Sequence, residues 1–221
     1  MISHFGSAVG RKVTPDGRFL SYPGNTVISM LDPKGEAFHH AVKWREALIH
    51  SNAASTLVAL PSSSFHMTVF EGVSDQSRSP DHWTTLLPLD VPLGEVDELF
   101  EQLFRNSEPL GEVVMRFKEL DLGSAIKIIL ESEDEQRIRS YRNALSSLFG
   151  LRFPDHDHYV FHISLGYGLI PPTKEQGRVL HEIKAFFDAT YADQPFTFAL
   201  LPPALTFFED MKYFSPLRLK R

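Results

Sequence analysis

The sequence contains no cysteine. Thiol nucleophiles, disulfide bonds and cysteine-ligated metal centres are therefore excluded together. Long apolar runs are also missing, because the longest uncharged stretches, 159–173 and 195–208, contain a histidine or paired prolines. Both fall short of the ~18–20 apolar residues that span a bilayer. The first dozen residues lack the apolar core of a signal peptide. We expect a soluble, cytoplasmic protein with no membrane partner.

A surplus of positive charge is absent as well, since the formal net charge is −6. Binding along duplex nucleic acid requires a basic face that neutralises phosphates, so a duplex is not an expected partner. A small phosphate ester or an RNA end in a local pocket is still permitted. Neither a P-loop, nor a dinucleotide fingerprint, nor the G-x-S-x-G elbow of serine hydrolases occurs in the chain.

The elements that are present indicate an α+β fold. Helical periodicity marks four segments, 36–50, 95–104, 132–150 and 173–188. Ser132 with Glu135, and Thr173 with Gln176, have the spacing of capping boxes. Short β-rich runs lie between these segments, at 26–31, 55–60, 65–70, 112–117, 125–130, 159–167, 196–201 and 204–208. Their arrangement favours an antiparallel sheet within a single domain, 1–221. The polar stretch 74–92 is expected to be a loop insert or a lid.

One of the strand-like runs, FHMTVF at 65–70, carries polar residues in alternation. An extended chain places His66, Thr68 and Phe70 on one face. The run FHISLG at 161–166 repeats the pattern with His162 and Ser164, and the offset is 162 − 66 = 96 residues. A third His-x-Thr triplet, His82 to Thr84, lies in a polar loop and is attributed to chance. Each half of the chain therefore presents an imidazole beside a hydroxyl.

The two His-x-Thr/Ser motifs resemble those of the two-histidine (2H) phosphoesterase superfamily, which includes 2′-5′ RNA ligase-like proteins and cyclic phosphodiesterases. The resemblance implies two pseudo-symmetric lobes of antiparallel sheet with flanking helices around a central cleft. One lobe would contain 65–70 and the other 161–166. It also implies a phosphodiesterase that acts on 2′,3′-cyclic nucleotides or RNA ends.

The same resemblance assigns roles to four residues. His66 and His162 would be the catalytic acid and base, because imidazole titrates near neutral pH. Thr68 and Ser164 would bind the phosphate oxygens. No metal or other cofactor is expected, because the two imidazoles supply the proton transfers.

Two alternatives stay open at this stage. The protein could be a binding module that recognises a nucleotide or RNA end without turnover. It could also be a metal-dependent hydrolase built on 155–162, where His156 and His158 would share one face of an extended chain. The same alternation places Tyr159 and Tyr167 on the face away from His162, so neither tyrosine is expected in the cleft.

Overall fold

The computed structural model describes residues 5–192 and 196–219. Its helices are α1 (Glu36–Ile49), α2 (Leu93–Phe104), α3 (Glu135–Phe149) and α4 (Lys174–Ala192). Its strands are β1 (Gly24–Met30), β2 (Leu57–Ala59), β3 (His66–Ser74), β4 (Val113–Leu122), β5 (Ala125–Ser132), β6 (His162–Gly168), β7 (Thr197–Leu200) and β8 (Ala204–Phe208). The helices and strands predicted from the sequence pattern are all present, with boundaries that differ by a few residues.

The eight strands form one sheet in the order β7-β4-β5-β6-β3-β1-β8, and β2 pairs with β6. Every pairing between these strands is antiparallel. Helices α2 and α3 pack on each other and on the β8-β1-β3 part of the sheet, whereas α1 and α4 pack on the remaining part. The predicted α+β class with an antiparallel sheet is confirmed.

The helix ends show how far local patterns determine boundaries. At the start of α4, Thr173 and Gln176 form the predicted capping box: Gln176 N donates to Thr173 Oγ1 (3.3 Å) and Thr173 N donates to Gln176 Oε1 (2.9 Å). The capping box predicted at Ser132 is wrong. Ser132 ends strand β5, and the side chain of Asp134 caps α3 by accepting from Arg137 N. Because pairing with β4 holds Ser132 in the sheet, the N-cap of α3 lies further along the chain, at Asp134.

Helix faces agree with the periodicity, with one exception. Ala37, Ala41, Trp44 and Leu48 of α1 are all buried. In α4, Leu180 and Phe187 are buried, but Phe186 is 64% exposed. Helical periodicity predicts that Phe186 faces inward beside Phe187, but it lies at the edge of the apolar face, where its ring centroid is 5.8 Å from that of Trp44.

The two motif strands, β3 and β6, are neighbours near the middle of the sheet. They are joined by one residue pair, Met67 with Ile163, and both side chains are 0% exposed. Residues on either side of this pair point to the opposite face of the sheet, because alternate side chains in a strand face opposite ways. The histidines and hydroxyls of the two motifs therefore project from the same face.

The backbone of β6 also passes very close to β2. A Cβ atom placed on Gly166 would lie 2.4 Å from Val58 O. We expect Gly166→Ala to lower the free energy of unfolding by ~1–3 kcal/mol, the usual cost of overpacking a rigid contact. Urea denaturation measures this change. Gly123→Ala is the matched control, because its new Cβ would approach the side-chain carboxylate of Asp121 at 3.3 Å and would meet backbone only at an ordinary contact distance, 3.8 Å from Ala125 O. Equal urea midpoints for the two variants would contradict the close approach.

Candidate active site

A cleft of about 930 Å³ opens over the two motif strands. His66, Thr68, His162 and Ser164 all line it. The structure thus brings together the four residues that the sequence singled out. The antiparallel register around the Met67–Ile163 pair places His66 beside Ser164 and Thr68 beside His162. Each imidazole therefore has the hydroxyl of the other motif as its cross-strand neighbour.

The two imidazoles are held in the same way. His66 Nδ1 contacts the carbonyl oxygen of Ser64, and His162 Nδ1 contacts that of Val160, both at 2.7 Å. A carbonyl oxygen only accepts hydrogen bonds, so Nδ1 carries the proton in each ring. The other nitrogen, Nε2, is left with a lone pair that can accept a proton. Both rings are thus fixed as the tautomer that a general base requires.

Burial keeps both imidazoles neutral. The pKa of His66 falls to about 4, mainly through removal from water and to a smaller extent through the positive charge of Lys12, although the hydrogen bond to Ser64 O raises it. The pKa of His162 also falls to about 4, first through burial and then through the charge of Lys127. His66 itself contributes to lowering the pKa of His162, which places the two rings within electrostatic reach of each other.

Each motif strand contains a β-bulge directly after its hydroxyl residue. On β3, Thr68 pairs with Ile28 of β1 and Phe70 pairs with the preceding residue, Val27, so Val69 is the extra residue. On β6, Lys127 of β5 pairs with Ser164 and Ile126 pairs with Gly166, so Leu165 is the extra residue. An extra residue reverses the alternation of side chains that follow it.

The bulges decide which side chains complete the cleft. Phe70 was expected on the same face as Thr68, and this is wrong: Phe70 is buried, and Glu71 lines the cleft. Tyr167 was expected to point away from His162, and this is also wrong, because Tyr167 lines the cleft after the second bulge. Glu71 and Tyr167 are themselves separated by 167 − 71 = 96 residues.

The carbonyl oxygens of the two bulge residues accept hydrogen bonds from different groups. Val69 O accepts a 2.5 Å hydrogen bond from the guanidinium of Arg142, which is 1% exposed. Leu165 O accepts a 2.9 Å hydrogen bond from Leu60 N. A buried carbonyl without a partner would destabilise the fold, so these contacts stabilise the irregular geometry that shapes the cleft.

Glu71 is an unusual acid in this cleft. Its Oε2 is buried and has no hydrogen-bond partner among the described residues. Burial, followed by the negative charge of Asp155, raises its pKa to about 7. The carboxyl group is therefore close to half protonated at neutral pH, and it can donate or accept a hydrogen bond.

The segment that precedes β6 is not extended. Residues His156–His158 form a 3₁₀ turn, and His156 Nε2 contacts Asn143 Oδ1 at 3.0 Å. The shared face proposed for His156 and His158 is therefore wrong, since it assumed a strand. The described residues contain no group of three or more histidines and carboxylates that could hold a metal ion. The turn also carries Tyr159 into the cleft wall, against expectation.

The connector 74–92 is packed onto the end of α3. Trp83 is buried, and Thr84 Oγ1 donates to Phe149 O at 2.6 Å. The third His-x-Thr triplet is therefore part of an irregular segment, as expected, although His82 lines the rim of the cleft. The connector forms one wall of the cleft.

Sequence reasoning also missed two lysines of the cleft, Lys12 and Lys127. Lys127 lies on β5 directly opposite Ser164. Lys12 belongs to the segment that precedes β1. No local pattern indicates either residue, because both are brought to the cleft by contacts between distant parts of the chain.

An antiparallel α+β sheet that sets two His-x-Thr/Ser motifs in one cleft is the architecture of the two-histidine phosphoesterases. Residues 12–125, just over half of the chain, match the family model 2H-phosphodiest, described as a domain of unknown function (DUF1868). The chain belongs to this family, within the 2H phosphoesterase superfamily that the sequence motifs resembled.

Solved structures with similar folds include the conserved protein of unknown function ATU0111 from Agrobacterium tumefaciens, with 28% identity and a TM-score of 0.86. The match covers 97% of this chain and 92% of that one. Escherichia coli LigT complexed with phosphate is 12% identical with a TM-score of 0.48, over 90% of this chain and 96% of that one. No curated protein matches the sequence. In the described parts of the chain, no helix has the length and apolar character that crossing a membrane requires.

The lowered histidine pKa values predict how stability depends on pH. Unfolded histidines bind protons below about pH 6.5, whereas the folded rings of His66 and His162 stay neutral down to about pH 4. The unfolded state therefore gains more protons as the pH falls from 6.5 to 4, and the free energy of unfolding decreases over this range.

We expect the double variant His66→Asn/His162→Asn to lose much of this dependence in urea titrations at pH 4.5 and 7. Two buried groups remain in the variant: His156, with a pKa lowered to about 4, contributes a slope of the same sign, and Glu71, with a pKa raised to about 7, contributes one of the opposite sign. The matched control is His181→Asn on the exposed face of α4. A double variant with the full wild-type dependence would show that these rings are protonated in the folded protein.

Proposed function

We propose that the protein is a metal-independent phosphodiesterase that acts on 2′,3′-cyclic nucleotides or RNA ends. The observation that carries this proposal is the matched placement of the two imidazoles. Each is fixed by a hydrogen bond from Nδ1 to a backbone carbonyl, and each leaves Nε2 free in the same cleft. Membership of the 2H phosphoesterase superfamily supports the same reaction class.

The proposed reaction needs two proton transfers at opposite sides of one phosphorus atom. One imidazole, neutral, takes a proton from the attacking water or from an internal 2′-hydroxyl as the new P–O bond forms. The other, protonated, gives a proton to the departing oxygen as the old P–O bond breaks. Thr68 and Ser164 donate hydrogen bonds to the non-bridging oxygens, where negative charge grows in the transition state.

Neither imidazole of the cleft is protonated at neutral pH, because both pKa values lie at about 4. A bound phosphate anion supplies the missing negative charge and raises the pKa of the imidazole that acts as the acid. The low pKa values of the two imidazoles also support the second candidate, a binding module without turnover. If the bound anion leaves both rings neutral, the cleft can hold a phosphate without cleaving it.

Incubation with 2′,3′-cyclic nucleotides in the presence of a chelator distinguishes the two candidates. We expect turnover in chelator, and we expect His66→Ala and His162→Ala each to lower kcat/KM by at least ~100-fold, the lower range for acid–base catalysis. His181→Ala is the control, since that ring lies outside the cleft. Saturable binding without product would favour the binding module, and an unaffected single variant would exclude that histidine from catalysis.

The pH dependence of kcat/KM gives an independent test. This parameter reports the free enzyme, in which the singly protonated pair becomes scarcer as the pH rises above about 4. We expect kcat/KM to fall between pH 5 and 8, approaching about tenfold per pH unit because one proton must be gained. The optimum of kcat is expected at higher pH, since bound phosphate raises the pKa of the acid. A kcat/KM that rises across this range would contradict the proposed protonation states.

A further inference from the structure

The segment before β1, residues 5–22, lies in a fixed position beside the cleft. Gly6 N donates a 2.9 Å hydrogen bond to Gly168 O at the end of β6. Val13 is 0% exposed and anchors the middle of the segment in the core. Its neighbour Lys12 lines the cleft. The segment therefore delivers one cationic side chain to the cleft from a part of the chain far from either motif.

The ammonium group of Lys12 lies against two aromatic rings. Its Nζ is 5.3 Å from the centroid of the Tyr22 ring and 5.6 Å from that of Tyr167. Both tyrosines are buried and line the cleft. Contacts of this kind hold a cation without neutralising it, because the ring contributes only a partial negative face.

No carboxylate oxygen among the described residues lies within 4.0 Å of the Lys12 ammonium group or of the Lys127 ammonium group. Other lysines of this acidic chain do form ion pairs. Lys118 pairs with Glu131 at 2.7 Å, and Lys184 with Asp188 at 2.8 Å. The cleft therefore keeps uncompensated positive charge although the chain as a whole carries a net charge of −6.

The charge of Lys12 reaches the groups that surround the motif residues. After burial, it is one of the causes that lower the pKa of His66 and of His162. It also acts on Glu71, whose pKa it lowers against the larger effect of burial. The ammonium group is thus within electrostatic range of both imidazoles and of the acidic side of the cleft. The other charged residues that line the cleft are Arg11, Arg78, Lys127 and Asp155.

We propose that Lys12 is a phosphate-binding residue of this cleft, supplied by the N-terminal segment, and that it acts together with Lys127. Any effect of Lys12 on catalysis rests on the proposed function, whereas its binding of a phosphate anion does not require turnover. With both imidazoles neutral, the motif residues offer only uncharged hydrogen-bond donors and acceptors. The fixed charges of the two lysines are what draws an anion into a partly desolvated cleft.

The test uses inorganic phosphate as the probe, with binding measured by calorimetry at pH 7 and constant ionic strength. We expect Lys12→Met to weaken phosphate binding by at least ~10-fold, because a charge-assisted contact is lost. Lys12→Arg should retain most of the affinity, since it keeps the charge and stacks on tyrosine. Lys34→Met, at an exposed position outside the cleft, is the matched control.

A second readout separates an electrostatic role from a structural one. NMR titration of the imidazole signals should show that the pKa values of His66 and His162 rise in Lys12→Met and stay unchanged in Lys12→Arg. If Lys12→Met proves poorly folded by circular dichroism, Lys12→Gln replaces it as the uncharged variant.

The proposal is overturned if the uncharged variant binds phosphate as tightly as the wild type, or if Lys12→Arg binds as weakly as the uncharged variant. Failure of the proposed function is distinguishable from this outcome. A protein that binds phosphate through Lys12 and hydrolyses no cyclic nucleotide refutes the enzyme assignment and leaves the phosphate-binding role in place.

Discussion

The contact between Met67 and Ile163 is the constraint on which the cleft depends. It is the one pairing that joins the two motif strands, and both side chains are fully buried. Once these two residues face the core, strand alternation turns the adjacent imidazoles and hydroxyls to the other face. The core thus aligns two motifs that lie 96 residues apart, and burial of apolar side chains stabilises the arrangement.

The duplicated bulges give the two halves of the cleft a common backbone and different chemistry. After each bulge, the third residue beyond the hydroxyl position turns into the cleft. On β3 this residue is Glu71, and on β6 it is Tyr167. Arg142 supports the first bulge and the backbone of Leu60 supports the second. An internally repeated framework therefore presents an acid near one motif and a phenol near the other.

Desolvation is the main electrostatic influence on the cleft. It drives the imidazoles of His66 and His162 toward the neutral form, and it drives Glu71 toward the protonated form. Positive charge in the cleft is thus left to its lysines and arginines, Lys12 and Lys127 among them. The negative net charge of the whole sequence does not predict this positive cleft, because the charge of a local site depends on which of its side chains have an ion-pair partner.

The sequence by itself determined the helices, the strands and the α+β class, because the periodicity of apolar residues depends only on positions close together in the chain. It determined the capping box at Thr173 for the same reason. It also identified the two His-x-Thr/Ser motifs. Only the tertiary structure decided that Glu71 and Tyr167 enter the cleft and that Lys12 reaches it. A bulge depends on how residues are matched with a partner strand, and a distant segment is positioned by core packing. Neither the bulges nor the position of this segment can therefore be predicted from the local sequence pattern.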